Sequence, residues 1–213
     1  MKIYDFFRSG TSHRLRIALN IKGLEYRQLP INLRAEEHLK SEYAKINPQR
    51  LVPTLIDEDH ILVQTPAIIE WLEERYPSPA LLPPDPYERA HVRGLAAVVG
   101  CDIHPLNNRR VLECLRHQFS ADEAAIADWC CHWIRPGFDA FQSLVGSHGG
   151  PGPYAFGAHP TVADVYLIPQ IESARRFGID MCAWPRLMEI DAACASLETF
   201  RRAAPLCQPD ATR

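Results

Sequence analysis

The sequence predicts a small α/β domain followed by a larger all-helical domain. Short strand-like runs alternate with helical patterns up to residue 76, whereas strand signals almost vanish after residue 87. Between these regions, the stretch YPSPALLPPDPYE carries five prolines, which neither a helix interior nor a central strand accommodates. We therefore expect domains at residues 1–80 and 88–213, joined by a linker at 81–87.

The elements of the first domain follow the order strand, helix, strand, helix, strand, strand, helix. The predicted strands span residues 2–6, 26–31, 53–57 and 60–63, and the predicted helices span residues 12–22, 35–46 and 66–76. This βαβαββα order is typical of a thioredoxin-like domain, a small mixed sheet flanked by helices. In the second domain, helical patterns cover residues 87–118, 121–146, 161–177 and 185–202.

Composition excludes several classes of protein. The net charge of −3 and the pI near 6.3 offer no basic surface of the kind that binds nucleic acid. No apolar run approaches the roughly 18 residues of a membrane span, and the N-terminal stretch lacks the apolar core of a secretory signal. We therefore expect a cytoplasmic protein that binds neither nucleic acid nor membrane.

The cysteines argue against metal and disulfide chemistry. All seven lie at or after Cys101, and their spacings contain no paired metal-ligand motif. We expect them to be buried, reduced side chains and expect no metal site. The sequence from Thr161 to Asp164 has the spacing of a capping box, so Asp164 is interpreted as a folding determinant and not as a catalytic base.

Three local features of the first domain predict a ligand site. The turn Ser9–Gly10–Thr11 precedes a helix, whose free N–H groups and positive dipole end attract an anion. A second such helix start follows Gln64, with Thr65 as the predicted N-cap and Pro66 in the first turn. Val52 precedes a proline that opens a strand, which leaves backbone groups for an extended ligand, especially if the Val52–Pro53 bond is cis. Together these features suit a short peptide that carries a thiol.

The runs FFRSGTSHRLRIAL, NPQRLVPTL, QTPAIIEWLEERYP and PTVADVYLIPQIESARRF give the chain a family resemblance. The chain resembles the zeta-class glutathione transferases over nearly its whole length. This resemblance implies a homodimer with a glutathione-binding first domain and a helical substrate domain. It also implies a glutathione-dependent cis–trans isomerase that converts maleylpyruvate to fumarylpyruvate in aromatic (gentisate-type) catabolism.

The resemblance also implies roles for individual residues. Ser9 and Thr11 match catalytic positions beside the glutathione sulfur, although many relatives have cysteine where this chain has Thr11 and tryptophan where it has His13. The other positions that match glutathione contacts are His38, Val52, Gln64, Thr65, His104, Asn108, Arg109 and Arg110. The matches to carboxylate-binding positions for the diacid are Arg8, Arg110 and Arg176, and arginine suits this task because its planar fork binds a carboxylate in two places.

Several alternatives remain at this point. Adjacent helical residues project about 100 degrees apart, so only one of Arg109 and Arg110, and one of Arg175 and Arg176, is expected to face the substrate. The resemblance implies maleylpyruvate as the substrate or, alternatively, the maleylacetoacetate of tyrosine breakdown. A general glutathione transferase and a non-catalytic binding module are further alternatives. A redox enzyme would need a cysteine in the first turn, where this chain has none.

Overall fold

A computed structural model describes residues 1–211 of the chain. Its contacts divide the chain into two units, residues 1–81 together with those from 195 onwards, and residues 82–194. The first unit has the predicted thioredoxin-like order of strands and helices. Its elements are β1 (Lys2–Asp5), α1 (Gly10–Ile21), β2 (Arg27–Pro30), α2 (Ser41–Ala44), β3 (Thr54–Asp57), β4 (His60–Val63) and α3 (Thr65–Arg75).

The four strands form one mixed sheet in the order β2–β1–β3–β4. Strand β1 runs parallel to β2 and antiparallel to β3, which in turn pairs antiparallel with β4. Ile3 and Leu55 lie opposite each other in the two central strands, and both are fully buried. The two central strands therefore contribute buried side chains to the core of the unit. Strand β1 ends at Asp5, immediately before the turn that leads into α1.

Helix α1 begins two residues earlier than the sequence pattern predicts. Ser9 is its N-cap, and the Ser9 hydroxyl accepts a hydrogen bond from the backbone N–H of Ser12 at 3.2 Å. At the other end the chain reverses through Gly23, whose φ of 67° lies in the left-handed region that favours glycine. The N–H of Leu24 then bonds the carbonyl of Leu19 at 3.0 Å, which closes the helix.

The continuous helix predicted over residues 35–46 is wrong. The structure contains only a 3₁₀ turn (Glu37–Leu39) and the four-residue α2. Glu36 has a φ of 57°, and Lys40 is extended at φ −66° and ψ 151°. These two backbone conformations interrupt the helical hydrogen-bond ladder on both sides of the 3₁₀ turn.

The second unit is helical, as predicted, but two of its predicted helices are interrupted. Its helices are α4 (Pro86–Ala97), α5 (Arg109–Phe119), α6 (Glu123–His148), α7 (Val162–Arg176) and α8 (Pro185–Ala195), with a π-helical segment (Val98–Ile103) after α4. The helix predicted over 87–118 ends before Pro105, which lacks an N–H, and α5 restarts with Asn108 as its N-cap. The helix predicted over 185–202 breaks at Leu197, which is extended.

Close packing of helices builds the core of the second unit. Helix α4 packs on α7, and the π-helical segment packs on α6. Gly137 of α6 permits this approach, because a Cβ atom there would overlap the Ile103 side chain. Helix α7 begins with the predicted capping box, in which the buried Asp164 carboxylate accepts from the Thr161 N–H at 2.7 Å and the Ala155 N–H at 2.8 Å. Asp164 thus has the structural position that the spacing predicts.

The C-terminal segment packs with the first unit. After α8 it forms α9 (Glu198–Ala203) and a 3₁₀ turn (Pro205–Cys207), and α9 lies against α1. The contacts therefore assign residues from 195 onwards differently from the predicted domain of residues 88–213. The Arg201 guanidinium donates to the carbonyls of Ala195 and Ser196, which satisfies groups left at the end of α8.

The cysteines are reduced, but the prediction that all are buried is wrong. Only Cys130 and Cys194 are buried, and burial raises the pKa of both thiols, that of Cys130 to about 12. The exposed thiols are Cys101, Cys182 and Cys207, and the half-buried ones are Cys114 and Cys131. Hydrophobicity alone did not reveal which helix face each cysteine occupies.

Candidate active site

The turn between β1 and α1 presents Arg8 and Ser9. The N–H of Ser9 bonds the carbonyl of Phe6 at 2.9 Å, which closes a turn whose central residues are Phe7 and Arg8. Arg8 is exposed, with its guanidinium 5.4 Å from the centre of the Phe7 ring, and Ser9 is half-buried. Because Ser9 caps α1, its hydroxyl lies at the positive end of a 12-residue helix.

Two hydroxyl groups and one carbonyl form a hydrogen-bonded chain at this helix start. The Ser9 and Thr11 hydroxyl oxygens lie 2.8 Å apart, and the Thr11 hydroxyl donates to the Val52 carbonyl at 2.8 Å. A hydroxyl has one proton, and Thr11 uses its proton on a carbonyl that can only accept. Ser9 is therefore the donor to Thr11. Rotation of the Ser9 hydroxyl would direct the same proton to a stronger acceptor.

The loop that precedes Val52 fixes the position of the Val52 carbonyl, which accepts the Thr11 hydrogen bond. The Val52–Pro53 bond is cis, and the Val52 side chain is 7% exposed. The carbonyl of the preceding Leu51 accepts from the Tyr43 hydroxyl at 2.6 Å and from the Asn47 side chain at 2.8 Å. Burial raises the pKa of Tyr43, so its hydroxyl stays a neutral donor. Val52 thus presents its backbone from a fixed loop.

The start of α3 differs from the predicted cap. Gln64 occupies the N-cap position and Thr65 is the first helical residue, so the prediction of Thr65 as the N-cap is wrong. Gln64 has a φ of 70°, a conformation that a non-glycine residue adopts at an energetic cost and that recurs at ligand-binding sites. Its side chain is exposed and donates to Gln49 at 2.7 Å, whereas Thr65 is 4% exposed. The free N–H groups in the first turn of α3 remain available to an anion.

His38 lies in the 3₁₀ turn (Glu37–Leu39) of the first unit and is half-buried. It shares this unit with Ser9, Thr11, Val52 and the Gln64–Thr65 pair. Of these predicted residues, the hydrogen bonds directly link Ser9, Thr11 and Val52.

The remaining predicted residues belong to the second unit. Four of them share one segment after the π-helix, namely His104, Asn108, Arg109 and Arg110. The Asn108 side chain caps α5 by accepting from the Arg110 N–H at 3.1 Å, which gives it a structural role besides any ligand contact. Arg176 lies in the last turn of a different helix, α7.

Two of these neighbouring arginines form ion pairs with nearby carboxylates. Arg109 lies 3.7 Å from Glu113 one turn along α5, and Arg175 donates to Asp191 at 2.6 Å. The side chains of Arg110 and Arg176 are both exposed. Exposed ion pairs contribute at most about 1 kcal/mol, so these contacts do not decide which member of each pair binds a substrate carboxylate.

Sequence reasoning missed a buried polar network beneath the β1–α1 turn. Arg16 is fully buried and donates to both carboxylate oxygens of Asp5, at 2.9 and 3.0 Å, and to the Phe7 carbonyl at 3.0 Å. A signal was present, because Arg16 interrupts an otherwise apolar helix run between Leu15 and Ile17. A charge in such a position is buried only with a partner.

Neither membrane nor metal features emerge from the described residues. In residues 1–211, no helix combines the length and apolar character needed to cross a bilayer. Within the same residues, no three histidine, cysteine, aspartate or glutamate side chains are grouped so as to hold a metal ion.

Comparison with known proteins identifies the family. Residues 1–74 match the N-terminal domain of the glutathione S-transferases. A maleylpyruvate isomerase from a Ralstonia species is 59% identical over 210 residues, which cover 99% of each chain. The holo structure of a maleyl pyruvate isomerase, a bacterial zeta-class glutathione S-transferase, matches with a TM-score of 0.98 and 58% identity over the whole of both chains. This chain belongs to the zeta-class glutathione transferases.

Two further relatives are maleylacetoacetate isomerases. A maleylacetoacetate isomerase from Pseudomonas aeruginosa is 49% identical over 213 residues, covering 99% of this chain and 98% of the relative. The structure of a maleylacetoacetate isomerase from Methylobacterium extorquens AM1, with malonate and glutathione bound, has a TM-score of 0.96 at 34% identity and full coverage of both chains. That relative thus binds glutathione together with a dicarboxylate.

Proposed function

We propose that this chain is a glutathione-dependent cis–trans isomerase that converts maleylpyruvate to fumarylpyruvate. The observation that carries the proposal is the chain of hydroxyls from Ser9 through Thr11 to Val52 at the start of α1. The first cysteine of the chain is Cys101, so the β1–α1 turn itself carries no thiol, and a bound molecule would supply one. The 59% identity to a maleylpyruvate isomerase favours maleylpyruvate as the substrate.

The residues of the first unit fit glutathione. Ser9 would hold the sulfur, Val52 would pair its backbone with the cysteinyl part, and the start of α3 at Gln64 and Thr65 would bind the γ-glutamyl carboxylate. We propose that His38 and Thr11 also contact the bound glutathione. Gln64 supports the assignment of the γ-glutamyl site to the start of α3. It is the only residue between the end of β4 and the first residue of α3, and its positive φ joins the two elements without a loop. We further propose that the first unit supplies most of the glutathione contacts and that the second unit supplies most of the substrate contacts.

The site favours the ionised form of a bound thiol. An unperturbed thiol has a pKa of about 8.5, and each unit of depression corresponds to about 1.4 kcal/mol of preferential thiolate binding. The Ser9 hydroxyl can turn its proton from Thr11 to sulfur, and the N-terminus of α1 adds a favourable dipole. Glutathione supplies a thiolate, which adds reversibly to the carbon β to the ketone, so that the former double bond rotates before the thiolate leaves.

The diacid would be held by arginines. Arg8 stands beside Ser9 in the turn, and we propose Arg110 and Arg176 as further carboxylate-binding residues, with His104, Asn108 and Arg109 near the glutathione. This choice follows the family resemblance of these positions, and a planar guanidinium binds a carboxylate in two places. A bound pair of carboxylates would fix the orientation of the double bond relative to the thiol.

A second candidate substrate is maleylacetoacetate. The 49% identity to a maleylacetoacetate isomerase supports this alternative. The two keto acids have the same cis double bond and terminal carboxylate, so the same residues would serve both.

The experiment measures the decay of enol absorbance for each keto acid, with and without glutathione. We expect isomerisation only with glutathione, and a larger kcat/KM for maleylpyruvate than for maleylacetoacetate. The reverse ratio would establish the alternative substrate. Absence of glutathione-dependent isomerisation for both would refute the proposed reaction and favour a general transferase or a binding module. Conjugation of a chlorinated aromatic electrophile to glutathione separates these last two.

We also propose a cytoplasmic homodimer. The seven free thiols suit a reducing compartment. The side chain of Ile61, on the edge strand β4, is 48% exposed, which suits a covered surface in a dimer. Light scattering coupled to size-exclusion chromatography tests the dimer, since a mass near 24.1 kDa would contradict it.

A further inference from the structure

The turn that carries Ser9 is held at two of its three peptide groups. The N–H of Phe7 donates to the Asp210 carboxylate at 3.0 Å, and the carbonyl of Phe7 accepts from the Arg16 guanidinium at 3.0 Å. The turn itself closes through the Ser9 N–H and the Phe6 carbonyl. Because two peptide groups fix the orientation of a four-residue turn, these bonds determine where the Ser9 hydroxyl lies.

One of these two contacts comes from the C-terminal segment, 203 residues away along the chain. The other contact, Arg16, is itself tied to that segment, since its Nε donates to the Ala203 carbonyl at 2.9 Å. The end of the chain therefore reaches the turn directly through Asp210 and indirectly through Arg16.

The C-terminal segment is rigidly anchored in the first unit. The Gln208 side chain donates to the carbonyls of Arg202 and Ala204, at 2.8 and 2.7 Å, and accepts from Gln28 at 2.9 Å. Gln208 is 7% exposed. Ala211 packs against a cluster of buried side chains that includes Val52, Phe6, Phe7 and Tyr43. An anchor of this kind makes the Asp210 carboxylate a fixed acceptor.

We propose that Asp210 is a positioning residue for Ser9, which holds the β1–α1 turn so that the Ser9 hydroxyl is directed at the sulfur of bound glutathione. This inference rests on the proposed function, because it requires glutathione in the site. Asp210 lies outside the thiol's own contacts and acts through the Phe7 peptide. The C-terminal segment thereby becomes part of the thiol-activating machinery.

The inference predicts a specific defect in Asp210→Ala. Loss of the acceptor leaves the Phe7 N–H, in a residue that is 2% exposed, without its partner and frees one side of the turn. We expect the pKa of the bound glutathione thiol to rise by about one unit, a roughly tenfold loss of thiolate preference. Binding of S-methylglutathione, which has no thiol to ionise, should change less than about twofold, since Ser9 then stabilises no charge.

The test uses glutathione alone, in the full-length protein. Thiolate absorbance in the ultraviolet as a function of pH gives the pKa of the bound thiol, and calorimetry gives the two dissociation constants. Asp210→Asn keeps an acceptor oxygen, so both of its dissociation constants should lie within about twofold of the wild-type values. The matched control is Asp180→Ala, because Asp180 likewise accepts a backbone N–H, from Cys182 at 2.9 Å, but belongs to the second unit.

Three results would overturn the proposal. An unchanged thiol pKa in Asp210→Ala, even with a lower melting temperature, would mean that the contact is only structural. Equal losses for glutathione and S-methylglutathione would mean that the whole site is disturbed and not Ser9. Failure of the wild type to bind glutathione would refute the proposed function together with this inference, whereas absent isomerisation with intact binding would refute the reaction alone. Should Asp210→Ala not fold, Asp210→Glu shifts the acceptor by one methylene and permits the same comparison.

Discussion

Replacing Ser9 with alanine removes one oxygen that has two separable roles. The Ser9 hydroxyl accepts from the Ser12 N–H at 3.2 Å and so caps α1. The same hydroxyl donates its proton to Thr11 in the protein alone, and in our proposal it donates that proton to the glutathione sulfur instead. The variant should therefore lose both folding stability and thiol activation.

The structure allows the two losses to be estimated separately. Loss of an N-cap hydrogen bond costs about 1 kcal/mol of unfolding free energy. A hydrogen bond to a charged acceptor contributes about 1.5–3 kcal/mol, so the pKa of the bound thiol should rise by about one to two units. At neutral pH such a shift reduces the thiolate fraction about tenfold or more, and kcat should fall by a similar factor.

Urea unfolding measures the first loss, and the pH dependence of thiolate absorbance in the glutathione complex measures the second. Ser12→Ala is the matched control, because the Ser12 hydroxyl is buried in the same helix turn and has no hydrogen-bond partner among residues 1–211. That variant should keep the thiol pKa and should be no less stable than the wild type. A thiol pKa in Ser9→Ala within about 0.3 units of the wild-type value would refute the assignment of Ser9 as the thiolate donor.

Three further predictions follow from the structure. Arg176→Ala should raise KM for the diacid at least about tenfold and should change KM for glutathione little. Arg175→Ala should change neither constant, because the Arg175 side chain pairs with Asp191. Equal effects of Arg176→Ala on both constants would indicate a structural role. Burial raises the pKa of Asp164 from 3.8 to about 6, so the folded state binds this proton more tightly. The contribution of this carboxyl group to the free energy of unfolding therefore falls by about 2 kcal/mol as the pH rises from about 4 to about 6. Urea unfolding of the wild type and Asp164→Asn at both pH values checks this, and a constant difference between the two proteins would contradict it. Cys130 and Cys194 should resist a thiol reagent until the protein unfolds, because burial raises the pKa of both; mass spectrometry that finds either modified in the native protein would disprove their inertness.

Local signals were sufficient for the order of elements in the first unit. Short strand-like runs between turn residues predicted all four strands to within about two residues, because a strand of this sheet is a local run of about four residues. Turn residues likewise located the start of α1 close to Ser9, since a serine hydroxyl suits the N-cap position. The capping box at Asp164 was predicted for the same reason.

Backbone conformations that depend on distant contacts were not predictable. The left-handed Glu36 and Gln64 interrupt or initiate helices at positions where the side-chain pattern suggests continuous helix or a different cap. Side-chain patterns report which face is apolar, but they carry no information on whether a residue adopts a positive φ.

The candidate site likewise combines features that local sequence predicts with features that depend on distant contacts. The sequence was sufficient for the fold class, the absence of a cysteine from the first turn and the hydroxyl at Ser9, because each is a property of local residue type and spacing. The folded chain was needed to show that Thr11 donates its proton to Val52, that Arg109 and Arg175 form ion pairs, and that Asp210 contacts the Ser9 turn. A hydrogen bond requires two atoms within about 3 Å of each other, and for residues 203 positions apart that proximity exists only after the chain has folded.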